Sequence, residues 1–359
     1  VMKSPVNSHN EWDPLEEVVV GRLEGAVMPP NQPGLRRSIP PTLGMLLPLI
    51  GGWPYPPFLT RAAQRDLDEF VSLLESEGIT VRRPEIVQGR RKFRTPLWSS
   101  RGFATACPRD GFLVLGDEIL ETPMSWRCRH FEGLAYRPLF RSYARAGARW
   151  TAAPRPALSD ALFNPSYRVP RVGPPTEYAL TEHEPVFDAA DFVRCGRDLF
   201  GIRSNVTNLS GIEWLRRHLG DRYRIHLVES RCNRPMHIDA TLVPLAPGRM
   251  MIHPEQVDPE RLPRALKGWE ILIPPPPEPL PGPFLSMCSA WLSLNVLSLD
   301  PTRVVVERSQ VSLIRALKEW GFEPIPCSFR NYAPFGGSFH CATLDIRRRG
   351  GLQSYCEAP

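Results

Sequence analysis

The chain has 359 residues, 42% hydrophobic and 23% charged, with 41 prolines, 26 glycines and a formal net charge of +6. The apolar share is close to the globular average, which provides for a core and excludes wholesale disorder, and the length alone suggests about two domains. A pI near 9.0 keeps nucleic acid under consideration, but the charge is dispersed. The densest basic runs, Arg90-Arg91-Lys92-Phe93-Arg94 and Arg347-Arg348-Arg349, come with no RNA-module signature and no Cys/His finger spacing, so no nucleic-acid partner is expected.

Eight cysteines (107, 128, 195, 232, 288, 327, 341 and 356) show no CxxC and no regular spacing, which reads as reduced thiols in a cytosolic protein. The start, VMKSPVNSHNEWD, lacks an apolar h-region. The longest apolar stretch, Leu43 to Trp53, is broken by Pro48 and by glycines and is too short to span a bilayer, so no membrane partner is expected.

In chain order, LEEVVVG at 15–21 reads as a strand with no adjacent partner. The apolar, Pro-rich segment from Pro29 to Pro57 is compatible with a cover over a pocket or with packing on its rim. A repeat then sets in. A helix-like run that ends at Gly and is followed by a short strand occurs at 73–84, 143–154, 214–227, 265–274 and 316–327. The glycines (78, 147, 220, 268 and 321) suit the left-handed residue that closes a helix. Ser210 with Glu213 reads as a capping box, and Ser309 as the start signal of the helix that follows it. Between these units lie pairs of β-rich runs around tight turns, at 112–120, 192–200, 242–252 and 294–306. A fifth pair is missing unless LEEVVVG meets CATLDIRRR at 341–349. The expected fold is therefore α/β, a closed five-bladed propeller of ββαβ modules with its termini paired, and residues 1–359 form a single domain.

The conspicuous polar residues recur at one place in this repeat, at or just before the first strand of each hairpin. They are Asp110, Asp188, His237 with Asp239, Cys288 with Ser289, and Cys341. In a closed ring such positions converge on the axis and line one pocket. If MHIDATLV is a strand, His237 and Asp239 share a face. His340 and Cys341, as strand neighbours, face opposite sides, so His237 is the better base for a Cys341 thiolate, with Asp188 or Asp239 orienting it. A metal is not expected, because HExxH and zinc spacings are absent; GxGxxG, P-loop and GxSxG are absent too.

These residues resemble a known family, the amidinotransferases typified by L-arginine:glycine amidinotransferase. The resemblance runs through NEWDPLEEVVVG (10–21), TVRRP (80–84), CPRDG (107–111), ETPMSWRCRHFE (121–132), EPVFDAADFVRCGRDLF (184–200), GIEWLRRHL (211–219), PMHIDAT (235–241) and GGSFHCATLDIRRRG (336–350). It implies a pentein-type five-bladed propeller. It also implies that Cys341 attacks a guanidino carbon to give an amidino-cysteine, that His237 is the general acid/base, and that Asp188 supports His237. Asp110 and Asp239 would grip the guanidinium nitrogens. Two half-reactions through one intermediate imply ping-pong kinetics without a cofactor, the partners being a small guanidino donor and an amine acceptor. Family members are often dimers.

The departures bear on the substrate. Gln256 stands where the glycine-specific enzymes carry an Arg that binds the α-carboxylate. Arg234 replaces a small Asn, Cys288 replaces one Ser of a pair whose Ser289 is kept, and Met236 matches the glycine type and not the aminocyclitol type. Arg234 restoring part of the lost charge is one expectation; a natural-product amine as acceptor, the favoured one, is the other. Glycine as acceptor and guanidino hydrolysis, as in deiminases, stand as the alternatives.

Overall fold

A computed structural model describes residues 4–39, 41–279 and 288–356. Among the described residues, five three-stranded sheets share one plan: two antiparallel strands, a crossover, and a third strand parallel to the second. The first four in chain order are 112–115 with 118–121 and 149–152, 192–195 with 198–201 and 224–227, 242–246 with 249–252 and 270–272, and 297–298 with 303–307 and 323–327. The fifth joins both ends of the chain. Thr343–Arg348 runs antiparallel to Leu15–Val20, which pairs in parallel with Thr80–Arg82. The strand left unpaired at each end thus finds the other, as the repeat required.

The opening strands FLVL and FVRC are buried throughout, which is why they read as apolar runs and not as alternating ones. Helices Pro57–Ser76, Arg137–Arg145, Leu209–Leu219 and Val311–Glu319 form four of the crossovers. The fifth crossover departs from expectation: at 265–274 there is only a single 3-10 turn, Arg264–Leu266. Pro263 starts that turn and Gly268 ends the segment, so too few residues lie between them to nucleate a helix. The start signals also differ. Asn208, not Ser210, caps its helix by accepting the Gly211 N–H at 2.9 Å, while Glu213 pairs with Arg216 and Arg217. Ser309 instead donates to Glu307, and the helix after it has no side-chain cap.

Five buried apolar clusters each span two sheets. Val19 and Ile346 of the terminal sheet pack with Phe112 and Ile119, Leu113 and Leu120 with Phe192 and Leu199, and Val193 and Phe200 with Leu242 and Met250. Val243 and Met251 pack with Val304 and Val306, and Val305 and Leu297 with Val18 and Val20. The five glycines that end these segments (78, 147, 220, 268 and 321) all have positive φ, from 54° at Gly220 to 101° at Gly147, and a Cβ at any of them would meet nothing within 4 Å. Conformation, not space, therefore selects them. Gly321→Ala (φ 86°) should accordingly cost about 1–2 kcal/mol in urea denaturation and leave the catalytic rate unchanged; an unaltered midpoint would contradict this account.

Candidate functional site

A short turn precedes the first strand of each sheet, and the candidate residues sit on these turns. Asp110 lies in Pro108–Gly111, Asp188 immediately before Ala189–Asp191, and His237 immediately before Ile238–Ala240, which contains Asp239. Cys288 and Ser289 precede Ala290–Leu294, and Cys341 lies in the turn at 339–342. Two strand readings are thereby corrected. MHIDATLV is not a strand up to Leu242, because Asp191 Oδ1 accepts the His237 N–H at 2.7 Å and His237 takes φ 58°, outside the β region. The parity argument for His237 and Asp239 falls with it. Likewise Cys341 precedes its strand, which begins at Thr343.

The residues nevertheless converge. A cavity of about 420 Å³ is lined by Arg234, Met236, His237, Asp239, Gln256, Cys288, Ser289 and Cys341, with Ser38 and Pro41 of the Pro-rich segment at its edge. Asp110 and Asp188 flank the His237 ring: Asp188 Oδ2 lies 3.0 Å from Nε2 and Asp110 Oδ1 3.7 Å from Nδ1. Burial opposes charge on His237, but Asp110, Asp188 and Asp191 outweigh it and raise its pKa to about 10. Burial raises the Asp188 carboxyl above its ordinary range, against the pull of His237. Asp191 anchors the His237 backbone and accepts from Ser204 and Thr207. Its own pKa is pushed up to about 7, chiefly by burial.

Cys341 is buried. Its N–H donates to Asn295 Oδ1 at 3.0 Å and its thiol faces Asp239 Oδ2 at 3.5 Å. Burial, then the charges of Asp239 and Asp110, hold the thiol well above its ordinary range, so it rests protonated. Gly337 is fitted against it, since a Cβ there would lie 2.3 Å from Cys341 Cβ. His340 is a poor base for Cys341, though not because it faces away. Both of its ring nitrogens are engaged, Nδ1 by Asp239 at 2.7 Å and Nε2 by Glu11 at 3.2 Å.

Among the described residues, two carboxylate oxygens at this site are buried without a hydrogen-bond partner, Asp110 Oδ1 and Asp239 Oδ1. Their sister oxygens are fully employed. Asp110 Oδ2 takes Arg129 at 2.5 Å, with Arg129 itself gripped twice by Glu132; Asp239 Oδ2 takes His340 and Asn295. Orphaned buried acceptors are costly and point to a donor-rich cationic ligand. On the wall, Gln256 Oε1 accepts from Thr241, and Arg234 spends one N–H on the Ile39 carbonyl at 2.6 Å. Cys288 is raised to about 12 by burial and by Asp110 and Asp239. Among the described residues, no group of three or more His, Cys, Asp or Glu is arranged to hold a metal ion, and no helix is long and apolar enough to cross a membrane.

Sequence reasoning missed Arg129, Glu132, Asp191, Asn295 and the ionic groups behind His340. Arg194 within the apolar strand FVRC was the clearest unread signal, because a charge in a buried strand needs partners.

No family model matches the chain. It is 46% identical over 355 residues, 99% of its own length and 98% of the relative's, to the L-arginine:L-lysine amidinotransferase of Pseudomonas savastanoi pv. phaseolicola. The chain belongs to the amidinotransferase family. A mitochondrial glycine amidinotransferase of Danio rerio is 43% identical over 359 residues, 98% of this chain and 85% of that one. Among solved structures, SxtG, an amidinotransferase of the saxitoxin biosynthetic pathway of Microseira wollei, matches with a TM-score of 0.92 and 54% identity over 98% of this chain and 99% of its own. The inosamine-phosphate amidinotransferase StrB1 of Streptomyces griseus follows at 0.89 and 36%, over 98% of this chain and 99% of its own. A dimethylarginine dimethylaminohydrolase, at 12% identity and a TM-score of 0.57 over 92% of this chain and 99% of its own, shares the fold alone. The protein is thus an amidinotransferase, a transferase acting between small-molecule donor and acceptor.

Two measurements probe the site. If Cys341 takes part in the reaction, Gly337→Ala should lower amidinotransferase activity at least tenfold by displacing its side chain, with secondary structure retained; normal turnover would show that the turn relaxes freely. Because the folded-state pKa of His237 is raised, its contribution to stability is full below about pH 6.5 and is lost as pH climbs through about 10. The stability difference between the wild type and His237→Gln should therefore shrink across that window in urea titrations. A difference independent of pH would refute the raised pKa.

Proposed function

We propose that the protein moves the amidino group of L-arginine, or a closely related guanidino donor, through an amidino-Cys341 intermediate to an amine acceptor, releasing ornithine when arginine is the donor. The observation that carries this reading is the pair of unpartnered carboxylate oxygens, Asp110 Oδ1 and Asp239 Oδ1, beside a buried thiol. A guanidinium offers five N–H donors in a plane and can serve both carboxylates at once. Its charge also offsets the two carboxylates that keep the thiol protonated, so donor binding favours the thiolate when it is needed.

Sulfur then bonds to the guanidino carbon, and the bond from that carbon to the departing nitrogen breaks. The thiol proton leaves to solvent as the thiolate forms; His237, cationic and flanked by Asp188, gives its own proton to the departing amine and is left neutral, ready to act as the base of the second half-reaction. In the second half-reaction the acceptor amine attacks the amidino carbon, His237 takes its proton, and the carbon–sulfur bond breaks to restore Cys341.

The acceptor we favour is a natural-product precursor amine and not glycine. Gln256 cannot form the charge pair that an Arg at this place would give a carboxylate, and Arg234 offers its charge from a different part of the wall. The match to SxtG, of the saxitoxin pathway, supports this direction. Cavity volume does not discriminate, since the same space must take the donor. Hydrolysis is the weaker reading, because the hydrolase likeness is confined to fold. We also read the five sheets as one closed ring and the chain as one domain, supported by the paired termini and by core clusters that link the sheets in cyclic succession.

Intact-mass measurement after incubation with arginine should show one added amidino group, absent in Cys341→Ser, and discharged by the true acceptor from a panel of amines. Turnover by Cys341→Ser would overturn the covalent route. Guanidinoacetate formation at ordinary rates with low-millimolar glycine would overturn the acceptor, and citrulline release without added amine would favour the hydrolase.

A further inference from the structure

His340, next to the proposed nucleophile but given no task by the transfer chemistry, has two carboxylates on its ring. A neutral imidazole has one donor and one acceptor nitrogen, so facing Asp239 Oδ2 at 2.7 Å and Glu11 Oε2 at 3.2 Å it needs a proton on both. Glu11 is itself fixed. Arg194, fully buried, donates Nε to Glu11 Oε1 and Nη2 to Oε2, both at 2.7 Å, and reaches Asp345 Oδ2 at 2.7 Å. The imidazolium is therefore anchored on the side away from the cavity. On the cavity side it holds one oxygen of Asp239, together with Asn295 Nδ2 at 3.0 Å, and the other oxygen stays buried and unpartnered.

We infer that His340 is a positioning residue for the donor: anchored by Glu11, it locks the Asp239 carboxylate in the one orientation that leaves Oδ1 for the guanidinium. Without it Asp239 is free to rotate and to spend both oxygens on Asn295 and the Cys341 thiol, and the donor loses one of its two carboxylate grips. The effect falls on donor capture and not on discharge of the adduct by the acceptor. This inference rests on the reading of the cavity as a guanidino-donor site.

The test uses the full chain and the variants His340→Ala, His340→Asn and Glu11→Gln. Asn places an amide nitrogen where Nδ1 lies, keeping the bond to Asp239 while giving up the one to Glu11. His340→Ala should raise the KM for arginine about tenfold to a hundredfold, the range for losing one charge-assisted hydrogen bond. The rate at which an amine discharges preformed amidino-Cys341 should change by no more than a few fold. His340→Asn should recover a good part of the KM, and Glu11→Gln should raise it a few fold through the intact His340. An unchanged arginine KM in His340→Ala, with only the melting temperature lowered, would reduce His340 to a structural role and overturn the inference. Should that variant not fold, His340→Asn and Glu11→Gln decide: wild-type KM in both overturns it, and a raised KM in Glu11→Gln sustains it. A wild-type chain that forms no adduct from arginine would instead remove the donor reading itself.

Discussion

The site depends on a cluster of buried charges beneath it. Asp345 accepts from Arg109 and Arg194 at 2.7 Å and from Arg348 at 2.8 Å, and Arg194 carries the chain on to Glu11 and thence to His340 and Asp239. Burial opposes ionisation of Glu11 and Asp345, but the surrounding arginines hold both carboxyls well below their ordinary range. Each member alone would cost several kcal/mol to desolvate, and removing one partner from such a set costs about 3–5 kcal/mol. The members come from the N-terminal segment, the turn at 108–111, the strand 192–195, the turn at 238–240 and the strand 343–348. Apart from the Arg348–Asp345 pair within one strand, these charges are matched only across segments, so the cluster ties correct assembly of the sheets to the geometry of the cavity floor.

The same arrangement explains how so many carboxylates coexist near the buried Cys341 thiol. Asp110 and Asp239 each have one oxygen bound to a cationic side chain, Arg129 or His340, and one oxygen left over. The rigid half supplies preorganisation, and the free half supplies affinity for a cation with fixed donor geometry. At rest the negative field keeps Cys341 as a thiol and His237 as an imidazolium. In that state the thiol is a poor nucleophile and a poor target for oxidation. On the proposed mechanism, reactivity would be conditional on a bound cation, which would favour guanidinium-like donors.

Much of this was legible in the chain itself because the fold repeats. Recurrent Gly-ended segments and hairpins located the sheets, and the two unpaired strand-like runs at 15–21 and 341–349 implied their own pairing. The proposed site residues followed from their common place in the repeat, although the local reading failed at 235–241. There the His237 backbone is drawn by Asp191 out of the extended region, a tertiary hydrogen bond that no alternation of residue types encodes. The buried ionic cluster was illegible for a similar reason. Glu11 and Arg194 are 183 positions apart, and single charges in an arginine-rich sequence do not announce which of them pair. The missing helix at 265–274 shows the converse, a repeat pattern overridden by two local residues, Pro263 and Gly268.

The division of labour between turns and wall bears on how such an enzyme changes its acceptor. Asp110, Asp188, His237, Asp239 and Cys341 are each tied through hydrogen bonds or ion pairs to buried groups, Asp239 through His340 to the charge cluster below. Arg234, Gln256 and Ser289 border the cavity without entering that cluster. Among the described residues Arg234 is tied to the Ile39 carbonyl and the Cys232 sulfur, Gln256 to its local turn and Thr241, and Ser289 is exposed. A wall substitution is therefore expected to alter the cavity surface without disturbing that cluster. That separation bears on the departures from the family pattern. They fall on the wall, where an Arg and a Gln exchange charge for neutrality at two separated points, and spare the residues that would carry the amidino group.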